Sequence, residues 1–184
     1  MLDKITVNKL FKLSPEGFDE YHNTLKNLVP KPEIKEHQAN DIYELSFSEV
    51  SWLKTFIKDT SFENFLKAYE LVFGISENLF LKADVVEFYH SFNWLQNEIL
   101  ELIEGESALS SEPDEKWKDA GIEDLNVFGE LNTLITIGEK YGVPPHEVEK
   151  WSYNLVFTYA LHNKMNSDVN KRYSEIINKP NGNS

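Results

Sequence analysis

The side chains able to move protons, hold metals or attack carbon are few in this chain, and their spacing limits what they could do. Glu87 and His90 stand three apart in a stretch with helical periodicity. A helical di-iron centre needs that Glu-x-x-His arrangement twice, with two further glutamates facing inward, and no second copy occurs. His90 also falls about 200° around the helix from Phe88, so the pair is expected on the polar side, in water. His146 and Glu147 follow Pro144 and Pro145, at the first turn of a helix, where a carboxylate complements the macrodipole and need not act as an acid or base. His162 lies on an apolar helical face and reads as a hydrogen-bonded core or boundary histidine, while His22 and His37 have no ligand-spaced partners. There is no cysteine and no Gly-x-Ser-x-Gly turn for a nucleophile, and the eight glycines stand mostly singly instead of forming a phosphate cradle. Carboxylates are so numerous that a pair of them carries no specificity. The expectation is a non-enzymatic protein with no catalytic, metal or cofactor site.

Two features point to binding instead. Trp94 falls within about 40° of His90 on a helical wheel and beside Glu87, Asn97, Glu98 and Glu101, an aromatic anchor ringed by charge of the kind found at interface hot spots, unless a second layer of the fold covers it. Between Glu98 and Glu130 eleven acidic residues stand against Lys116 and Lys118, a local balance of −9 in a chain of net charge −13. That segment could engage a basic partner or imitate a phosphate backbone; as a bland alternative, it is a solvated face that keeps the chain soluble.

Composition excludes further classes. The 184 residues suit one domain, and 41 % hydrophobic with 13 % aromatic content is too much apolar surface for a chain that stays unfolded. One arginine and the strong negative charge argue against direct nucleic-acid binding. No apolar run nears the roughly 20 residues of a membrane span, and the first residues, MLDKITVNKL, lack a signal-peptide core. A cytoplasmic protein without membrane contact is expected.

The elements that must position these residues are read as mainly α: a multi-helix, orthogonal or bundle-like single domain over 1–184, with a short N-terminal strand or hairpin. Residues 4–13 suggest a short strand or extended lead-in. Ser14 and Pro15 start a helix running to about Val29, and the proline-containing stretch to Asn40 reads as a linker, so that 1–43 forms an N-terminal strand, helix and linker. IYELSF offers a weak strand before Ser46 and Glu49, which have capping-box spacing for a helix to about Lys58. Ser61 caps the next helix, which stops at Gly74. After Asp84, the residues Val85, Phe88, Phe92, Leu95, Ile99 and Leu102 follow the 3–4 spacing of a helix packed along a straight seam, ending near Gly105. Residues 106–121 read as an acidic loop and 179–184 as a frayed tail. Leu125, Phe128, Leu131, Leu134, Ile135 and Ile137 predict one helix over 122–141. Val148, Trp151, Leu155, Tyr159 and His162 predict another over 145–162, widened by Tyr153, Val156 and Phe157, and Val169, Tyr173, Ile176 and Ile177 a last amphipathic turn or two.

From Trp117 to about Ile177 the order of a helix, a Gly- and Pro-bearing turn, and a second helix with Glu147-Val148-Glu149 before an aromatic-rich face resembles the helical part of the tail assembly chaperones of tailed bacteriophages. The resemblance covers about a third of the chain and rests on pattern, so no residue inherits a role from it. It implies a virion-assembly protein, in the cytoplasm of a bacterial host, that coats an aggregation-prone helical partner such as a tape-measure or tail-tube protein and needs no cofactor. On that reading the contact residues are Trp94, Glu98, Glu101, Trp151, Tyr153 and Phe157, offering aromatic anchors to amphipathic helices. Two alternatives stand beside it: an acidic charge decoy that regulates a nucleic-acid-binding protein, and a structural virion component. Sequence leaves oligomeric state open, because a heptad seam serves one chain or two.

Overall fold

The computed structural model describes residues 4–59, 61–109 and 115–178. The fold is mainly α, with one two-stranded antiparallel sheet, and contacts divide the chain into two compact units, Met1–Glu104 and Gly105–Ser184.

In the first unit the predicted caps act where the residue types place them. Ser14 accepts from Gly17 N–H to start α2 (Pro15–Leu25), which follows a single turn, α1 (Val7–Leu10). The lead-in is extended only up to Thr6, which pairs with Asp84; Val7 and Leu10 turn inward as a helix, a correction to the strand expected over 4–13. Pro30–Asn40 is no linker. It holds a tight hairpin, β1 (Glu33–Ile34) and β2 (His37–Gln38), turned by Lys35 and Glu36 with φ of 49° and 64°. Ile34 is buried, Lys31 N–H donates to His90 O at 3.0 Å and Asn40 N–H to Val72 O at 2.8 Å, so the segment is laced to the helices beneath it. IYELSF likewise yields a 3₁₀ turn (Ile42–Glu44), because Asp41 accepts from Tyr43 N–H and starts a turn instead of a strand. Ser46 and Glu49 form the full capping box of α3 (Phe47–Phe56). Next come α4 (Phe62–Phe73), closed by Gly74 in the left-handed conformation, and α5 (Glu77–Leu81).

Then α6 (Val85–Leu109) begins, with Asp84 accepting from Val86 N–H and Glu87 accepting from Asp84 N–H. All six seam residues, Val85, Phe88, Phe92, Leu95, Ile99 and Leu102, are buried. Around them the core is aromatic: the Phe65 ring lies 5.2 Å from Phe11, Phe56 and Phe92 and 5.4 Å from Phe88. Such offset and edge contacts add to the burial of large rings. Inside this core the Tyr69 hydroxyl and Ser91 Oγ stand 2.9 Å apart, and Ser91 also donates to Phe88 O, so the buried polar atoms are satisfied.

The second unit departs more from expectation. Helix α6 runs through Gly105 to Leu109, since a glycine in mid-helix costs only about 1 kcal/mol against alanine; the acidic stretch 106–121 therefore starts helical, and 110–114 and 179–184 lie outside the described residues. After α7 (Glu115–Asp119), Gly121 and Gly129 take positive φ and bound a 3₁₀ segment (Ile122–Phe128), so the helix expected over 122–141 is shortened to α8 (Leu131–Tyr141). Gly142 closes it as predicted. The helix expected over 145–162 is split: α9 (Pro145–Val148) stops, Ser152 accepts from Leu155 N–H, and α10 (Tyr153–Ile177) starts afresh. Its buried residues are Tyr153 and Val156, whereas His162 is exposed and contacts Asn166, correcting the apolar-face reading. The restart resets which residues face inward.

Candidate protein-binding surface

Each residue singled out from the sequence has a definite place. Trp94 is half-buried, its ring 5.8 Å from Phe73 in an edge contact, and its indole N–H hydrogen-bonds the Glu98 carboxylate. Burial pushes the Glu98 carboxyl above the ordinary range, helped by the nearby charges of Glu101 and Asp41 and opposed by that hydrogen bond. Tyr43 is raised for the same reasons, burial first and then Glu98, Glu101 and Asp41. These three carboxylates form one acidic patch, with Glu101 exposed and Glu98 half-buried. Trp94 forms part of its wall, and is a less accessible anchor than its wheel position suggested.

Glu87 and His90 are both spent on structure. Glu87 serves the start of α6 and approaches Lys35 at 3.9 Å, and His90 Nδ1 meets Val29 O at 2.5 Å. The pair belongs to the anchorage of the hairpin, which corrects the expectation of a solvated pair. No group of three or more His, Asp or Glu able to hold a metal occurs among the described residues. A groove of about 400 Å³ lined by Ser48, Glu49, Trp52, Lys67, Glu70 and Leu71 lies between α3 and α4. Its floor is already covered, because Lys67 Nζ sits 3.9 Å from the Trp52 ring centre and Glu49 is committed to the capping box.

In the second unit, Trp151 is half-buried with its ring edge 5.9 Å from Tyr159, and Tyr159 stacks on Tyr141 at 4.6 Å. Phe157 is half-buried and stacks on Tyr153. Tyr153 itself is buried, its hydroxyl donating to Glu106 Oε1 at 2.9 Å, so it cannot meet a partner at the surface. That corrects its assignment as a contact residue: the restart at Ser152 turns it into the core.

What spacing alone missed is the distribution of apolar surface. Among the described residues, the first unit buries 25 hydrophobic side chains and exposes 5 large ones, whereas the second buries 5 and exposes 13. Single exposed apolar residues are ordinary, but an excess concentrated in one unit is not. One group, Trp117, Leu125, Val127 and Phe128 within the acidic stretch 98–130 and Leu131 just after it, lies around the 3₁₀ segment. The other runs down α10 from Leu155 to Ile177. The signal was available in part: 3₁₀ turns at Gly121 and Gly129 place hydrophobic residues on short elements unable to bury them all. Among the described residues no helix is long and apolar enough to cross a membrane. Comparison with protein-family models, with curated proteins and with solved structures gave no match.

Proposed function

We propose that the protein is a non-enzymatic protein-binding module that assists virion assembly as a tail assembly chaperone, holding an amphipathic helical partner of the tape-measure or tail-tube kind. The observation that carries this reading is the second unit's apolar surplus, 13 exposed large hydrophobic residues against 5 buried ones among the described residues. The group from Trp117 to Leu131 suits the role best. Its hydrophobic residues are interleaved with Lys116, Lys118, Asp119, Glu123, Asp124 and Glu130, which keeps the free chain in solution while leaving apolar area for a helix to cover. Within the first unit, Glu98 and Glu101 form an acidic patch of their own beside Trp94. Trp94, Trp151 and Phe157 then act as supports or partial contacts.

The charge-decoy reading draws on the same acidic residues and differs in its salt response. The test is calorimetric titration of the full chain with a long helical segment of a tape-measure protein, at low and moderate salt, for the natural sequence and for Trp117→Ala with Phe128→Ser. A chaperone contact gives micromolar binding that salt changes little and that the double substitution weakens at least tenfold. Absence of binding, or a partner lost steeply with salt and indifferent to the substitutions, overturns it.

A further inference from the structure

Beyond Asn163 and Lys164, α10 leaves its own unit: every residue from Met165 to Asn178 is exposed. The thirteen helical residues from Met165 to Ile177 are thus all exposed, a length at which an isolated helix is only marginally stable in water. They are nonetheless amphipathic. Leu161, Met165, Val169, Tyr173 and Ile177 recur every four residues as one ridge, 39–63 % exposed, with Ile176 beside it.

We infer that this ridge is the contact between two copies of the chain, crossing antiparallel with Val169 on the two-fold axis. The ridge is symmetric about Val169: reversal sets Met165 against Tyr173, while Leu161 and Ile177, each about 80° around the helix from Val169, flank the contact on either side. The polar residues obey the same symmetry. Reversal opposes Lys164 to Ser174, Asn166 to Arg172, Ser167 to Lys171, Asp168 to Asn170 and Asn163 to Glu175, so no charge meets its like. One step along, Lys164 neighbours Glu175 of the second copy and Asp168 neighbours Lys171 of the second copy, with opposite signs in both cases. An isologous two-fold contact requires this self-complementarity, and a ridge of four-residue spacing packs into its own kind in the commonest class of helix crossing.

Charge does not oppose a second copy along this segment. The chain carries −13, so two copies repel, yet residues 161–178 hold Lys164, Lys171 and Arg172 against Asp168 and Glu175, a balance of +1. Covering Met165, Val169, Tyr173 and Ile176 with part of Leu161 and Ile177 removes roughly 500 Å² from each copy, about 1,000 Å² in all, the least that a specific interface needs. Association in the micromolar range is the expected strength. It stands apart from the chaperone reading, which uses the Trp117–Leu131 group.

Because the chain has no cysteine, single introduced thiols report the geometry directly. Sedimentation of the full chain from 10 to 200 µM, estimated to bracket such an interface, is expected to show a monomer–dimer equilibrium that Val169→Asp weakens at least tenfold. Under copper-phenanthroline oxidation Val169→Cys is expected to give disulfide dimers and Ser167→Cys few. Met165→Cys alone is expected to stay single but to cross-link when mixed with Tyr173→Cys, which separates antiparallel from parallel pairing. A monomer throughout, equal cross-linking of Val169→Cys and Ser167→Cys, or efficient cross-linking of Met165→Cys with itself overturns the inference. Partner titration of Val169→Asp is expected to match the natural chain, so failure of one reading leaves the other testable.

Discussion

The hydroxyl of Tyr153, the first residue of α10, donates to Glu106 Oε1 in the last turn of α6 at 2.9 Å. It ties the two longest helices together within the second unit, where few hydrophobic residues are buried. Removing the hydroxyl alone, as in Tyr153→Phe, is expected to lower the unfolding free energy of that unit, read from denaturant titration, by about 1 kcal/mol, with the ring still stacked on Phe157. Tyr153→Ala is expected to cost about 3–5 kcal/mol. Equal losses for the two variants would show that the bond, and not the ring, holds α10 in place.

Two mid-helix glycines should respond oppositely to alanine. At Gly138 an added Cβ would collide with the Val143 carbonyl, whose own residue donates its N–H back to Gly138 O at 2.9 Å to close the turn after α8. Gly138→Ala is expected to destabilise by about 1–3 kcal/mol. At Gly105 the new methyl meets only the Phe157 ring at 3.8 Å, an ordinary contact, so Gly105→Ala is expected to stabilise α6 by about 0.5–1 kcal/mol. Thermal melts of both variants check the signs, and a loss at Gly105 would mean that the helix does not run through it.

Glu98 gives a pH signature. Burial and its acidic neighbours raise its carboxyl in the folded chain, so the folded state holds the proton more tightly than the unfolded one. The stability linked to that proton is fully present below the unfolded value and is lost as pH rises through the folded one. At neutral pH the ionised group is therefore a burden. Glu98→Gln, which still accepts from Trp94, is expected to melt higher than the natural chain near pH 7 and to match it below about pH 4. A pH-independent difference in melting temperature would remove the electrostatic explanation.

The hairpin turn is the strained part of the first unit. Lys35 and Glu36 both hold positive φ, where Asn and Gly are favoured, and the Lys35–Glu87 approach of 3.9 Å is too exposed to compensate much. Replacing the pair by Asn-Gly is expected to raise stability by about 1 kcal/mol. Unchanged or lowered stability in chemical denaturation would show that these side chains matter to the hairpin in some other way.

How far the sequence predicted these features depended on whether local rules and tertiary packing agreed. Ser14, Ser46 with Glu49, Gly74 and Gly142 behave as caps, and the α6 seam is buried along its length, because a cap or a 3–4 repeat states its own geometry. Spacing failed where one residue redirects the chain. Lys35 and Glu36 form a turn that their types disfavour, Gly129 stops a helix that the apolar repeat would continue, and Ser152 starts one that the repeat would have carried through. The candidate surface suffered most. Trp94 was placed by the wheel on the polar side, but Phe73 reaches it from α4, and Tyr153 was turned inward by a serine one residue before it. The exposed ridge of α10 was visible in outline as Val169, Tyr173, Ile176 and Ile177, yet only the packing tells that nothing in the second unit covers it.

The thin core of the second unit has a consequence for the lifetime of the chain. With 5 buried hydrophobic side chains among its described residues, that unit is expected to open more readily than the aromatic first unit, and brief openings are what proteases cut. Whatever covers its apolar faces lengthens its survival through mass action. Copies whose apolar faces stay uncovered are therefore expected to be degraded first.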